Sequence, residues 1–152
     1  MTLEIIATIT ATITAAIALG FNAFEIRRSQ IVTEANNWLV FRELISKYDD
    51  VHINLRPGGE WSESTKGPTK PEQWSRVESY MGLFEHANIM LNKKLLDTET
   101  FKKIYRYRLN NLLNNNIIVK AKLIDNVENW QDFIELCNKV GLDNILKRKD
   151  IT

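Results

Sequence analysis

Twenty consecutive residues without a formal charge, 5–24, open the chain, and nothing else in it restricts the fold as strongly. As a helix rising about 1.5 Å per residue, the run is about 30 Å long, the thickness of a bilayer's hydrocarbon core. It predicts one transmembrane helix. Met1, Thr2, Leu3 and Glu4 supply no positive n-region, so the run reads as an uncleaved anchor even though Ala16-Ile17-Ala18 mimics a cleavage site. Arg27 and Arg28 follow it and no Lys or Arg precedes it, which by the positive-inside rule puts the carboxy-terminal part in the cytoplasm and the amino terminus outside. Residues 1–26 are then a tail and transmembrane helix, and residues 27–152 a cytoplasmic helical domain.

The run is only modestly apolar, because its eight Ile, Leu and Phe residues are outnumbered by Ala, Thr and other small residues. Each of the eight favours insertion by roughly 0.3–0.6 kcal/mol, so the anchor alone is marginal. Wound as a helix, Ile5, Ile6, Ile9, Ile13, Ile17, Phe21 and Phe24 gather on one side. The small-residue side carries Ala7, Thr8, Ala11, Thr12, Ala15 and Asn22, with Thr8, Thr12, Ala16 and Gly20 at four-residue steps. In lipid, small side chains let helix backbones approach closely, so this split predicts a homo-oligomer. Copies around an axis would place Thr8, Thr12 and Asn22 against neighbours or along a narrow polar passage, the ingredients of a small pore. The plainer alternative has each Thr bonding its own i−4 carbonyl.

Every Lys and Arg lies after residue 26, and there the signs are balanced: 20 basic residues against 18 acidic, the total of 19 less Glu4. The excess expected of a dedicated nucleic-acid binder is missing. Cys137 stands alone, which excludes an intrachain disulfide and suits a reducing compartment.

The spacing of apolar residues predicts an all-α protein in which the first helix continues into a bundle of about four helices. No Gly or Pro falls between Gly20 and Pro57, so the first helix is expected to reach about Tyr48, with Ile31, Ala35, Trp38, Phe41, Ile45 and Tyr48 as its stripe. A flexible loop is expected at about 50–71, around Pro57-Gly58-Gly59, with Trp61 in it unexplained. The second helix should run from Pro71 or Glu72 to near Asn92, and the third from a cap at Asp97 or Thr98, kinked near Asn114-Asn115-Asn116 and carried to about Leu123. The last should run from Asn129 or Trp130 to Val140, with Gly141 as terminator and a solvated tail at Lys147-Arg148-Lys149.

Chemistry-bearing residues are sparse. Arg108 falls on the third helix's apolar stripe, where an unpaired guanidinium is costly, and Glu85 on the second helix is the expected partner. His52 with Asp49 and Asp50 reads as a solvated cluster at a helix exit, not a metal site, and His86 lies off the apolar stripe. No nucleophile–base spacing or phosphate loop is present, because Gly58-Gly59 lacks a following Lys-Ser/Thr. No cofactor and no small-molecule substrate is implied.

The uncharged run, Arg27-Arg28, the Trp38-bearing helix and the block from Trp74-Ser75-Arg76-Val77 to Leu95-Leu96-Asp97 together resemble a family of small single-pass bacterial membrane proteins of unknown function. Within that class the chain is similar to the membrane accessory proteins of type VI CRISPR systems, which accompany an RNA-guided RNA nuclease and carry a divergent HEPN-like helical domain. HEPN ribonucleases place a His after an Arg with four to six residues between them; counted from Arg108, the corresponding places fall at Leu113, Asn114 and Asn115, and Asn is no general acid or base near neutral pH. The resemblance thus implies a HEPN-like scaffold without its nuclease. It further implies a homo-oligomer in the lipid of the bacterial inner membrane that supports antiphage defence by opening a pore, with the RNA-guided nuclease or its RNA products as partner. The alternatives are a membrane-tethered ribonuclease using Arg108, and a non-catalytic membrane scaffold or immunity protein.

Overall fold

The computed structural model describes the backbone of residues 3–149 and the side chains of residue 8 and of residues 14–149. Two compact units divide the chain, Met1–Asn36 and Asn37–Thr152. Helix α1, Leu3–Ser46, belongs to both. In the first unit every described side chain is exposed, including Ile17, Phe21, Phe24 and Ile31, each more than half open to solvent.

Among the described residues, no helix is long and apolar enough to cross a membrane. This corrects the expected transmembrane helix, and with it the single-pass, pore and inner-membrane readings. Ile5, Ile6, Ile9 and Ile13, half of the eight large apolar residues of the run, have side chains outside the described residues, and the described remainder from Thr14 to Phe24 is diluted by Ala, Gly and Asn.

The second unit is all helical among its described residues: α2 (Asp49–Leu55), α3 (Pro71–Asn92), α4 (Thr98–Asn114), α5 (Asn116–Ile118), α6 (Gln131–Lys139) and α7 (Asp143–Arg148). A π-helical turn, Val119–Ile124, and a single 3₁₀ turn, Val127–Asn129, join α5 to α6. The predicted starts of α3 and α4 agree with these bounds. Pro71 takes the first position of α3, where its missing N–H costs nothing, and the Asp97 carboxylate accepts from the Thr100 N–H at 2.7 Å to cap α4. Gly141, at φ 75°, ends α6 in the left-handed region that glycine enters most easily.

Apolar periodicity builds the core. Val77, Tyr80, Met81, Phe84, Ala87 and Leu91 from α3 meet Phe101, Tyr105, Leu109 and Leu112 from α4, with Phe133, Leu136 and Cys137 from α6. Phe84 packs edge-on against both Phe101 and Phe133. From α1 only the last two turns join, where Phe41 stands edge-on to Tyr105 and Trp38 stacks on the same ring. The expected stripe of α1 is therefore buried only from Trp38 onward; Ile31 and Ala35 are exposed.

Three features depart from the expected layout. Part of the 50–71 segment is helix α2, which buries Val51 and Leu55, and Trp61 in the loop beyond it is 3% exposed. The third helix does not run on to Leu123, because Asn115 adopts an extended conformation and the chain restarts as α5. An unexpected helix, α7, buries Leu146 and ends at the tail, of which Lys147 and Arg148 are exposed as expected and Lys149 is partly buried.

Candidate functional site

Helix α2 places the residues of the expected solvated cluster against α3 and α4. Its first residue, Asp49, accepts a hydrogen bond from Arg108 Nη1 at 2.8 Å, so Arg108 has a carboxylate partner, but not the one expected. Glu85 is half-buried and instead faces α6, where burial and the neighbouring Asp132 charge raise its pKa. The next residue, Asp50, forms a forked ion pair with Arg76 of α3, whose guanidinium also donates to the Lys47 carbonyl at 2.6 Å and lies over the Tyr48 ring. Arg76 beside it holds the Asp50 carboxyl below its ordinary range.

His52, one turn along α2, is half-buried with Nδ1 enclosed and without a partner. Burial first, and then the Arg108 charge, hold its imidazole below the ordinary 6.5, so it is neutral near pH 7. Tyr80 of α3 is fully buried within electrostatic reach of Arg108; its hydroxyl has no well-formed hydrogen bond, and burial pushes its pKa up to about 12. Asn111 adds an unpartnered buried amide nitrogen on α4. Three helices thus converge on one polar node of Asp49, His52, Tyr80 and Arg108. Its cation is spent on Asp49, and Tyr80 is a poor acid or base near neutrality. No group of three or more metal-ligating side chains occurs among the described residues.

Asn114 and Asn115, the residues at the expected His positions, part company. Asn114 is exposed, whereas Asn115 is buried and caps α5 by accepting from the Ile118 N–H at 3.0 Å. Its amide nitrogen donates to the carbonyls of Trp61 at 2.9 Å and Lys66 at 2.7 Å. Asn115 is the clasp that holds the loop after α2 against the body of the unit. Sequence reasoning also missed Asn88, wholly buried on α3, which donates to Asp132 and Glu135 of α6 and accepts from Lys139. Its position on the apolar face of α3 was the available signal, since a buried amide demands partners.

Of the residues expected at an association face, Thr8, Ala15, Ala16, Gly20 and Asn22 are exposed. The side chains of Ala7, Ala11 and Thr12 lie outside the described residues. The same helix carries a second pattern. From Ile17 the residues at alternating four- and three-step spacing are Phe21, Phe24, Arg28, Ile31 and Ala35, all exposed, and Ile17, Phe24 and Ile31 are seven apart. No protein-family model, no curated protein and no solved structure matches the chain.

Proposed function

We propose that this protein is a non-catalytic, self-associating helical scaffold whose assembling element is residues 17–35 of α1. The carrying observation is an apolar seam, Ile17, Phe21, Phe24 and Ile31, that lies exposed among the described residues of its unit. Isolated helices are marginal in water, and most helical stability in proteins comes from packing an apolar face. Ile17, Phe24 and Ile31 fit the d positions of a heptad repeat, with Phe21, Arg28 and Ala35 at a. A strict seven-residue step is the pattern that lets one helix wind around another of the same kind.

A second copy suits this seam in charge as well as in shape. Glu25, Arg27, Arg28 and Glu34 sum to zero, so like segments do not repel one another as whole charges. Arg28 interrupts the a positions, and a single polar residue there sets register and copy number at some cost in stability. Burying Ile17, Phe21, Phe24, Ile31 and Val32, now 54–66% exposed, is worth roughly 1 kcal/mol or more per side chain. Leu19 and Ile26, also seven apart, add an apolar line outside the seam that would serve an assembly of more than two strands. The defence role that the resemblance implies needs only such an assembly with a partner surface.

Sedimentation or light scattering of the purified full chain tests this reading. Association that disappears in Phe24→Glu/Ile31→Glu, with the far-ultraviolet helix signal of the second unit retained, is the expected result. A wild-type chain that stays monomeric as its concentration is raised, or glutamates that leave the mass unchanged, would sink it.

A further inference from the structure

The outward face of α4 carries a feature that self-association does not use. Lys102, Lys103, Arg106, Tyr107 and Asn110 line an open cleft of about 350 Å³, and no carboxylate lines it. Helix α4 carries four cations, Lys102, Lys103, Arg106 and Arg108, against Glu99 alone, although the whole chain is nearly neutral. Arg108 is committed to Asp49, but Lys102 and Lys103 make no salt bridge among the described residues. The acidic residues beside the cleft are Glu99, one turn before Lys102 and Lys103, and Asp97, the cap of α4, whose carboxyl senses the Lys103 charge.

Two side chains of the cleft are held in place from beneath. Arg106 donates through Nε to the Val140 carbonyl and through Nη2 to the Gly141 carbonyl, both at 3.1 Å, which fixes the guanidinium plane and leaves Nη1 free of those bonds. Tyr107 stands edge-on to His52, ring centroids 5.9 Å apart at 82°, while 53% of the residue remains exposed. His52, neutral near pH 7, adds no charge under the ring.

We infer that this cleft binds a nucleotide, with its phosphate on Lys102, Lys103 and Arg106 and its base stacked on Tyr107. Positive side chains in a cleft that no carboxylate lines recognise phosphate, and an oriented, half-open phenol offers a flat face to any base. Asn110 supplies both a donor and an acceptor at the edge of the cleft for a base edge or a ribose hydroxyl. The volume lies at the small end of the range for ligand sites, about 300–1,000 Å³, which suits one nucleotide unit better than a folded partner. A free nucleotide and a unit of a single strand share this chemistry.

The experiment uses the full chain and three probes: a nucleoside diphosphate followed by calorimetry, fluorescein-labelled single-stranded RNA and DNA followed by anisotropy, and polyglutamate as a polyanion without bases. Binding of the diphosphate identifies a free nucleotide, and binding of the strands alone identifies a polymer. In either case Tyr107→Ala should weaken binding about five- to a hundredfold and Tyr107→Phe should restore it. For strands, Lys102→Ala/Lys103→Ala should lower the slope of log affinity against log salt by about 1.4, two phosphate contacts' worth. Lys103 is exposed and Lys102 only partly buried, and an unchanged far-ultraviolet spectrum verifies that each variant folds. Failure of the diphosphate and both strands to bind, polyglutamate binding as tightly as they do, or indifference to Tyr107→Ala would overturn the assignment.

Discussion

His52 shows how a residue's surroundings set its chemistry. On the sequence it reads as one member of a solvated acidic cluster, but α2 carries it against α4, where burial and Arg108 both oppose its protonation. The unfolded chain therefore binds this proton more readily than the folded one, and the sign follows. Stability is full above the ordinary value of 6.5 and declines as pH falls through it toward the lower folded value. Melting temperatures taken between about pH 8 and about pH 5 should fall less for His52→Gln than for the wild type, and parallel curves would show that the imidazole is not desolvated. The demand of Arg108 for a carboxylate was legible, since a guanidinium on an apolar stripe needs one. Which carboxylate was not legible, because Asp49 lies 59 residues away and only the placement of α2 brings the two together.

Among elements, long periodic helices were legible and short ones were not. Pro71 and Asp97 mark helix starts by local chemistry, and α3 and α4 begin where those residues predict. Helices α2 and α7 are too short to repeat an apolar pattern, and each owes its place to a few buried side chains such as Leu55 and Leu146. The transmembrane reading rests on the whole run 5–24, of which only Thr8 and residues 14–24 have described side chains, and no helix among the described residues is long and apolar enough to cross a membrane. The break between α4 and α5 also depends on one distant contact. Asn115 gives both amide hydrogens to the loop after α2 and its oxygen to the first turn of α5, so Asn115→Ala removes three hydrogen bonds at once. A loss of about 2–3 kcal/mol in urea unfolding is expected, from the buried Trp61 carbonyl left unpaired, the part-buried bond to Lys66 lost and one helix cap lost. A loss below about 0.5 kcal/mol, the range of ordinary surface substitutions, would mean that the loop is held by Trp61 alone.

For the molecule as a whole, the buried side chains from Phe41 to Leu146 all belong to the second unit, as do the Asn88 and Asn115 clasps. A fragment comprising residues 37–152 should therefore unfold cooperatively with a midpoint close to that of the full chain, and by the reading proposed above it should be monomeric. A fragment that is unfolded by circular dichroism would show that the first unit contributes to the core. Cys137 belongs to that same core, wholly buried, and burial alone lifts its thiol well above its usual pKa. Thiolate is the species that reacts with maleimides and methanethiosulfonates, so the native sulfur is silent toward both while the fold is intact. A cysteine introduced by Ser29→Cys, exposed on α1 and outside the seam, would then be the sole reactive attachment point for a spin label or a dye. Distances between copies become measurable without first removing the natural thiol.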